Sequence, residues 1–350
     1  MKKILVIEII ALALVLTVLG AGVVYFSFFA PPSTEPVSTL SDDVTVAPTQ
    51  APTAPVNPDQ DIPDAESIED WSGWSNIPDS RQIDAKNYFI YDLQTDTFLA
   101  IAGEKNQRIY PASITKLVTA LVALEYLDTG DMVQAGSEVK LIHPESSTAD
   151  IPQGAYLSVS QLVEGMLLPS GNDAAYILAT AAGRKILGGN PAEPAAAIEA
   201  FVKQMNRWAE ENGLIGSHFM NPDGIHHDEH YMTLEDLALL GKLSVESITV
   251  RYYASLANGS NPAYDPLNTD PKAPKQWRNT NAMLHEGSDF YCPYATGLKT
   301  GFTTEAGNCL LSGFQYGTRR YVVGVFGCTE SEYRFVDTLQ LFLYNVVQTQ

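Results

Sequence analysis

Hydrophobic and polar positions follow different patterns in three parts of this chain. The first 30 residues are apolar almost throughout, with Glu8 as the chief interruption. The next part is rich in Pro, Ser, Thr, Ala and acids and holds no run that could bury apolar surface. After it, apolar residues recur with the spacing of amphipathic helices and of strands. The pattern predicts a hydrophobic segment over 1–30, a disordered or extended spacer over 31–66 and a folded region over 67–350.

The first segment is long enough to cross a membrane. About 20 apolar residues span a bilayer, whereas the apolar part of a cleavable signal peptide has about 7–15, so we favour an uncleaved signal anchor over a cleaved signal. Lys2 and Lys3 precede the segment, and no Lys or Arg follows before Arg81. The positive-inside rule then places the N-terminus in the cytoplasm and the folded region outside the membrane, or secreted if the signal is cleaved. An extended spacer, on the order of 100 Å long, would separate the two.

Within the folded region, strand-like runs lie near both ends and helix-like runs lie between them. A hairpin is predicted from Tyr88–Asp92 and Thr97–Ile101. Two later strands are predicted at Cys309–Phe314 and Arg320–Phe326, and a last helix at Tyr333–Val346. This order predicts a sheet built from the two chain ends, with a helical lobe inserted between them.

The first candidate for chemistry is the string Pro111-Ala-Ser-Ile-Thr-Lys-Leu, which leads into an apolar run at helical spacing that ends near Asp128-Thr-Gly130. Ser113 is expected in the first turn of this helix. Residues three apart share a helix face, so the Nζ atom of Lys116 can reach the Ser113 hydroxyl. A serine needs a base to act as nucleophile, and a buried lysine beside a second cation can be neutral enough to serve.

Two more short motifs follow in order. A Ser-x-x-Gln capping box at Ser158 begins a helix that Pro169 ends, and Ser170-Gly-Asn172 comes directly afterwards, before another core helix. Further on, Lys299-Thr-Gly301 precedes the two later strands, so that a strand edge would carry a cation beside a hydroxyl, a pair suited to a carboxylate. Each motif alone is a weak signal, and the three in this order carry the interpretation.

Together the motifs resemble the serine D-alanyl-D-alanine carboxypeptidases, which are low-molecular-mass penicillin-binding proteins. The resemblance extends over roughly residues 70 to 348 and includes Asn221-Pro-Asp-Gly-Ile225 and His230-Tyr-Met-Thr-Leu-Glu-Asp. It implies an α+β fold of the β-lactamase/transpeptidase type, with an antiparallel sheet covered by helices and an inserted helical lobe. It also implies removal of the terminal D-alanine from peptidoglycan stem peptides through an acyl-enzyme, inhibition by β-lactams, and no cofactor or metal.

The resemblance assigns a role to each motif residue. Ser113 is implied as nucleophile, Lys116 as acylation base, and Ser170 with Asn172 as proton relay and substrate-amide contact. Lys299 and Thr300 are implied to bind the terminal carboxylate, with Arg334 near that edge, and at Gly301 the missing side chain lets the backbone come close to the substrate. The N–H groups of Ser113 and Phe302 would form the oxyanion hole. Where some members have an arginine in an Asn-Arg-Asn string, this chain has Asn279-Thr280-Asn281, which puts one substrate contact in doubt.

Other functions remain as alternatives at this point. A D,D-endopeptidase acting on cross-links, or a β-lactam sensor that binds the wall without turnover, would share the motifs. A β-lactamase would share two of them, but the chain has no convincing Glu-x-x-Leu-Asn string. His226 and His230, with acids between them, could hold zinc in a metallopeptidase, although the Pro222-x-Gly224 sequence upstream argues against a helix there.

Charge and cysteine content limit the partners. The chain has 41 acidic and 21 basic residues and a formal net charge of −20, so nucleic acid is not expected to bind. The expected partners are peptidoglycan stem peptides, β-lactams and, through the N-terminal segment, a membrane. Cys292, Cys309 and Cys328 cannot all pair; Cys309 and Cys328 could form a disulfide between adjacent strands or remain buried thiols.

Overall fold

The computed structural model describes residues 83–189, 192–261 and 276–348. The segments predicted as anchor (1–30) and spacer (31–66) lie outside these residues, so both stay predictions, as do the boundaries of the folded region. Within these described ranges, no helix has the length and hydropathy needed to cross a membrane.

A five-stranded antiparallel sheet forms the centre of the fold. Its strand order is β2-β1-β11-β10-β9. The strands are β1 (Asn87–Asp92), β2 (Thr97–Ala102), β9 (Lys299–Thr303), β10 (Gly307–Tyr316) and β11 (Arg319–Cys328). Three two-stranded pairs join β3 (Arg108–Ile109) to β6 (Met232–Thr233), β4 (Met132–Gln134) to β5 (Tyr156–Ser158), and β7 (Asn258–Ser260) to β8 (Gln276–Arg278). The predicted strands and the sheet made from both chain ends are confirmed.

Helices fill the sequence between β2 and β9, and one more follows the sheet. They are α1 (Thr115–Ala123), α2 (Val159–Leu167), α3 (Asn172–Ile186), α4 (Pro194–Glu211), α5 (Leu234–Glu246), α6 (Ile248–Ser255) and α7 (Tyr333–Phe342). Short 3-10 turns occur at Ala112–Ile114, Ser137–Lys140 and Ala282–Leu284, and a π-helical turn, Leu343–Val347, continues α7. The inserted helical lobe and the α+β class are confirmed.

The two faces of the sheet are covered by different helices. On one face α7 packs against β10 and β11, where the rings of Phe314 and Phe342 stack with centroids 4.2 Å apart. On the other face α5 crosses so closely that a Cβ on Gly241 would run into Val322. Each face has its own buried apolar cluster, and the larger one continues into the helical lobe. The larger cluster thus packs the sheet and the helical lobe into one close-packed core.

Local signals set several helix ends. Ser158 accepts from the Gln161 backbone while the Gln161 side chain accepts from the Ser158 backbone, so the capping box is confirmed. Thr233 caps α5, as its place before that helix suggests. The helix after Ser113 is shorter than expected, because it ends at Ala123 rather than near Asp128. The chain continues there as turns, in which the N–H groups of Glu125 and Tyr126 make i→i+3 bonds and that of Leu127 bonds to the Ala123 carbonyl; Leu127 stays buried, which prolongs the apolar spacing.

All three cysteines are buried and unpaired thiols. Cys309 on β10 belongs to the apolar cluster that faces the helical lobe, whereas Cys328 on β11 belongs to the cluster beneath α7. Adjacent strands thus hold these two side chains in clusters on opposite faces of the sheet. Of the two states left open by the sequence, the structure has the free thiols, and stability must come mainly from the core.

Candidate active site

Ser113 lies at the start of the buried helix α1. It occupies the 3-10 turn Ala112–Ile114 that leads directly into α1, two residues before the first α-helical position. The Nζ atom of Lys116 lies 2.9 Å from the Ser113 hydroxyl and donates a second hydrogen bond, 2.7 Å long, to the Asp223 backbone carbonyl. The Lys116 side chain has no exposed surface. The serine and the amine expected to act on it are therefore in direct contact.

The environment of Lys116 favours its neutral form. Burial lowers the pKa of Lys116 to about 8, and the nearby carboxyl groups of Asp223 and Asp173 partly offset this effect. A lysine with such a pKa carries a substantial neutral fraction near neutral pH, as a general base requires. Burial, together with the charges of Lys116 and Arg334, also lowers the pKa of Lys299 well below its usual value.

Two threonines on the same helix hold the loop 219–231 beside Lys116. Thr119 donates a 2.6 Å hydrogen bond to the Pro222 carbonyl, and Thr115 is 2.9 Å from the Nε2 atom of His230. At Gly224, where φ is +85°, an added Cβ would collide with the Ala112 carbonyl oxygen. The loop thus reaches the back of the Ser113 turn only because this position has no side chain.

The histidine segment considered for zinc is accounted for by this packing. The Met220 N–H donates to Nδ1 of His230, 3.3 Å away, so the Nε2–H is the donor to Thr115 and both ring nitrogens are occupied. Burial, followed by the other histidines of the segment, lowers the pKa of His230 to about 3. His226 lies elsewhere, against Tyr110 and 3.9 Å from Glu305. His230 therefore stays neutral and joins this segment to α1 through Thr115.

Ser170 and Asn172 are presented by a tight connection between α2 and α3. Ser170 has φ +65°, a left-handed conformation uncommon for a residue with a side chain. Asp173 stabilises the connection, because its carboxylate accepts from the backbone N–H groups of Ala149, Ile151 and Ala174. The Asn172 amide donates to the Ser146 hydroxyl over 2.7 Å. The connection and the 146–151 segment therefore form one hydrogen-bonded unit.

Strand β9 forms the opposite wall and is an edge of the sheet, as predicted for Lys299 and Thr300. Lys299 is 1% exposed and donates to the Thr300 carbonyl, whereas Phe302 is 60% exposed. A Cβ on Gly301 would lie 3.2 Å from the Ser113 nitrogen, so its absence lets β9 approach the nucleophile turn. The Nη1 atom of Arg334 is 3.4 Å from the Gly301 carbonyl. The backbone of this wall thus lies beside Ser113, and the Arg334 guanidinium contacts that backbone.

Thr280 occupies the position where an arginine was expected from some family members. Its hydroxyl lies 2.6 Å from the Thr300 hydroxyl, and its N–H donates to the Leu168 carbonyl at the end of α2. The flanking Asn279 and Asn281 are buried and bonded to backbone groups. Where some family members have a long cation, this chain therefore has a hydroxyl held by hydrogen bonds beside Thr300.

These elements enclose a cleft of about 250 Å³. Of the residues singled out in the sequence, it is lined by Ser113, Ser170, Asn172, Thr300, Gly301, Phe302 and Arg334, with Lys116 and Lys299 buried behind its surface. Thr280, noted in the sequence only as a departure from some family members, also lines it, and the sequence reasoning missed the other lining residues: Glu145, Ser146, Ser147, Asp223, Gly224, Ile225 and Thr303. Asp223 to Ile225 stand in a string already noted for its resemblance, whereas no local signal marked Glu145 to Ser147.

Comparison with known proteins agrees with this geometry. A family model described as D-alanyl-D-alanine carboxypeptidase matches residues 75–329. The carboxypeptidase DacF of Bacillus subtilis is 33% identical over 235 residues, which are 65% of this chain and 54% of that protein. DacA of Escherichia coli K12 is 28% identical over 260 residues, 72% of this chain and 58% of that protein. The chain therefore spans little more than half the length of these curated relatives.

A solved structure is similar over a larger share of its own length. The Streptomyces K15 DD-transpeptidase superposes with a TM-score of 0.66 at 26% sequence identity, over 77% of this chain and 100% of that chain. The curated carboxypeptidase of Streptomyces strain K15 is 29% identical over 240 residues, 66% of this chain and 77% of that protein. The similarity thus extends over the described sheet and helical lobe.

Proposed function

The chain belongs to the D-alanyl-D-alanine carboxypeptidase family, and on that premise we propose that it removes the terminal D-alanine from peptidoglycan stem peptides through an acyl-enzyme on Ser113. The observation that carries the proposal is the contact of a fully buried amine, with a pKa of about 8, with the hydroxyl of Ser113. A further support is the gathering of residues from all three motifs at one cleft.

In the proposed acylation step, Lys116 takes the proton of the Ser113 hydroxyl as its oxygen attacks the carbonyl carbon of the penultimate D-alanine. Backbone N–H groups of Ser113 and Phe302 stabilise the oxyanion. The C–N bond then breaks, and Ser170 passes a proton from Lys116 to the departing amine of the last D-alanine. Lys299, Thr300 and Arg334 hold the terminal carboxylate, while Asn172 contacts the substrate amide.

Deacylation uses water. A water molecule gives a proton to the neutral Lys116 and attacks the ester carbonyl, and the Ser113 oxygen leaves as a hydroxyl after regaining a proton. β-Lactams would acylate the same oxygen by opening of their ring. We further propose that residues 1–30 attach the protein to a membrane and that the domain acts outside it.

The test is D-alanine release from diacetyl-Lys-D-Ala-D-Ala by the full-length chain, beside Ser113→Ala and in the presence of EDTA. Release that continues past one equivalent, resists EDTA and vanishes in the variant is the expected result. Labelling of Ser113 by a fluorescent penicillin without release would indicate an endopeptidase or a non-turnover sensor. Absence of both release and labelling would refute Ser113 as nucleophile.

A further inference from the structure

Asp223 is an acid of the cleft that none of the three motifs contains. It lines the cleft together with Ser113, yet only 1% of its surface is exposed. Its backbone carbonyl accepts the 2.7 Å hydrogen bond from Lys116. Its Oδ1 atom accepts one long bond, 3.3 Å, from the Ile225 N–H, and its Oδ2 atom has no hydrogen-bond partner among the described residues. The residue whose backbone carbonyl holds the amine thus also carries a buried carboxyl group with few donors of its own.

The second acid near Lys116 is differently placed. Asp173 receives three backbone N–H donors, from Ala149, Ile151 and Ala174, at 2.8 to 3.0 Å. These donors balance the charge of Asp173, and the bonds that it accepts hold the Ser170 connection in place. No comparable set of donors balances Asp223, and the charge of Lys116 is the largest influence that opposes the rise of its pKa on burial.

We propose that Asp223 is a positioning residue that sets the pH range in which Lys116 acts as base. Its backbone carbonyl fixes the amine beside Ser113, and its carboxyl group favours the ammonium form, in which Lys116 holds the serine proton before passing it on. The inference rests on the proposed function, because it concerns the pH dependence of that reaction.

The electrostatics of the pair support this role in both directions. Burial raises the pKa of Asp223 and the charge of Lys116 opposes that rise, while Asp223 in turn opposes the lowering of the Lys116 pKa by burial. Four other titratable groups act on this pair. They are His143 in the loop after the 3-10 turn Ser137–Lys140, Asp173 and Tyr176 on α3, and Lys299 on β9. The charge of Lys299 opposes the ammonium form of Lys116, so the two acids are the groups that favour it.

The experiment measures kcat/KM for D-alanine release between pH 5.5 and 10 with the full-length chain and with Asp223→Asn. The neutral amine is the active form, so the rate should rise with pH through the Lys116 pKa. Loss of a nearby carboxylate lowers the pKa of an amine. We therefore expect the rising limb of the pH–rate profile to move to lower pH by about one unit in the variant. Asp236→Asn is the matched control: Asp236 is also buried, at 3% exposed, but lies outside the cleft, and its removal should leave the limb in place.

A limb that lies at the same pH in Asp223→Asn and in the wild type would overturn the inference, as would an equal shift in Asp236→Asn. If the wild type releases no D-alanine at any pH, the proposed function fails instead. A carbon NMR titration of aspartate-labelled wild type covers the case of an unfolded variant. The Asp223 carboxyl should then show a second step where Lys116 titrates, and a single ordinary carboxyl titration would overturn the inference.

Discussion

Replacing Gly224 by alanine should lower the rate of Ser113 acylation by more than the loss of fold stability can account for. The added Cβ would lie about 1 Å or more inside normal contact distance of the Ala112 carbonyl oxygen, and 2.9 Å from the Thr115 hydroxyl. Ala112 precedes Ser113, the proposed nucleophile, and Gly224 follows the residue whose carbonyl holds Lys116, the proposed base. Relief of the collision must therefore move Lys116 and Ser113 apart. A displacement of about 1 Å costs on the order of 100-fold in rate.

Gly154→Ala separates this effect from the cost of the backbone conformation. Gly154 has φ +95°, close to that of Gly224, but an added Cβ would meet nothing within 4 Å. Both variants should lose about 1 kcal/mol for the left-handed conformation, whereas only Gly224→Ala should lose rate. The assay is the rate of Ser113 labelling by a fluorescent penicillin, with thermal unfolding in parallel. Labelling of Gly224→Ala within about threefold of the Gly154→Ala rate would refute the reasoning.

Further outcomes follow from other contacts. Thr280→Val removes the hydroxyl 2.6 Å from that of Thr300, and KM for the D-Ala-D-Ala peptide should rise about tenfold with little change in kcat; a fall in kcat alone would contradict a role in carboxylate binding. His230 is neutral in the fold with a pKa of about 3, whereas the unfolded chain gains a proton below about pH 6.5, so stability is complete above that pH and falls as pH decreases. Relative to His230→Gln, the wild type should lose about 1.4 kcal/mol of unfolding free energy per pH unit below 6.5 in urea titrations, and parallel curves would be the contrary result. Thiol titration in denaturant should find three thiols per chain with or without prior reduction, because all three cysteines are unpaired; one thiol without reduction would contradict this.

Local patterns allowed much of the fold to be predicted. The capping box at Ser158 and the strand edge at Lys299 depend on residues close in sequence, and both are present. The helix after Ser113 was predicted too long, since Leu127 keeps apolar spacing although the chain there forms turns. A periodic pattern reports which residues are buried and does not distinguish helix from successive turns.

Contacts between distant segments account for what the sequence did not predict. The hydrogen bonds that hold loop 219–231 to α1 join residues about a hundred positions apart, and nothing local marks Thr115 or Thr119 as their partners. Thr280 attracted notice only as the place of an arginine, and its contact with Thr300 depends on the β8 connection passing over β9. A role for Asp223 was not predicted for the same reason, because that role depends on its proximity to Lys116, 107 positions away in the sequence.

The hydrogen bonds that join Thr115, Lys116 and Thr119 to one loop have a consequence for how the molecule loses activity on heating. All three side chains are fully buried on the first turns of α1, which itself lies in the main apolar cluster. The loop can leave only if that helix leaves, so the site belongs to the same cooperative unit as the core. Exchange of the hydrogen-bonded amides in the loop, such as that of Met220, should then require global unfolding, and the curve of heat inactivation should coincide with the curve of thermal unfolding.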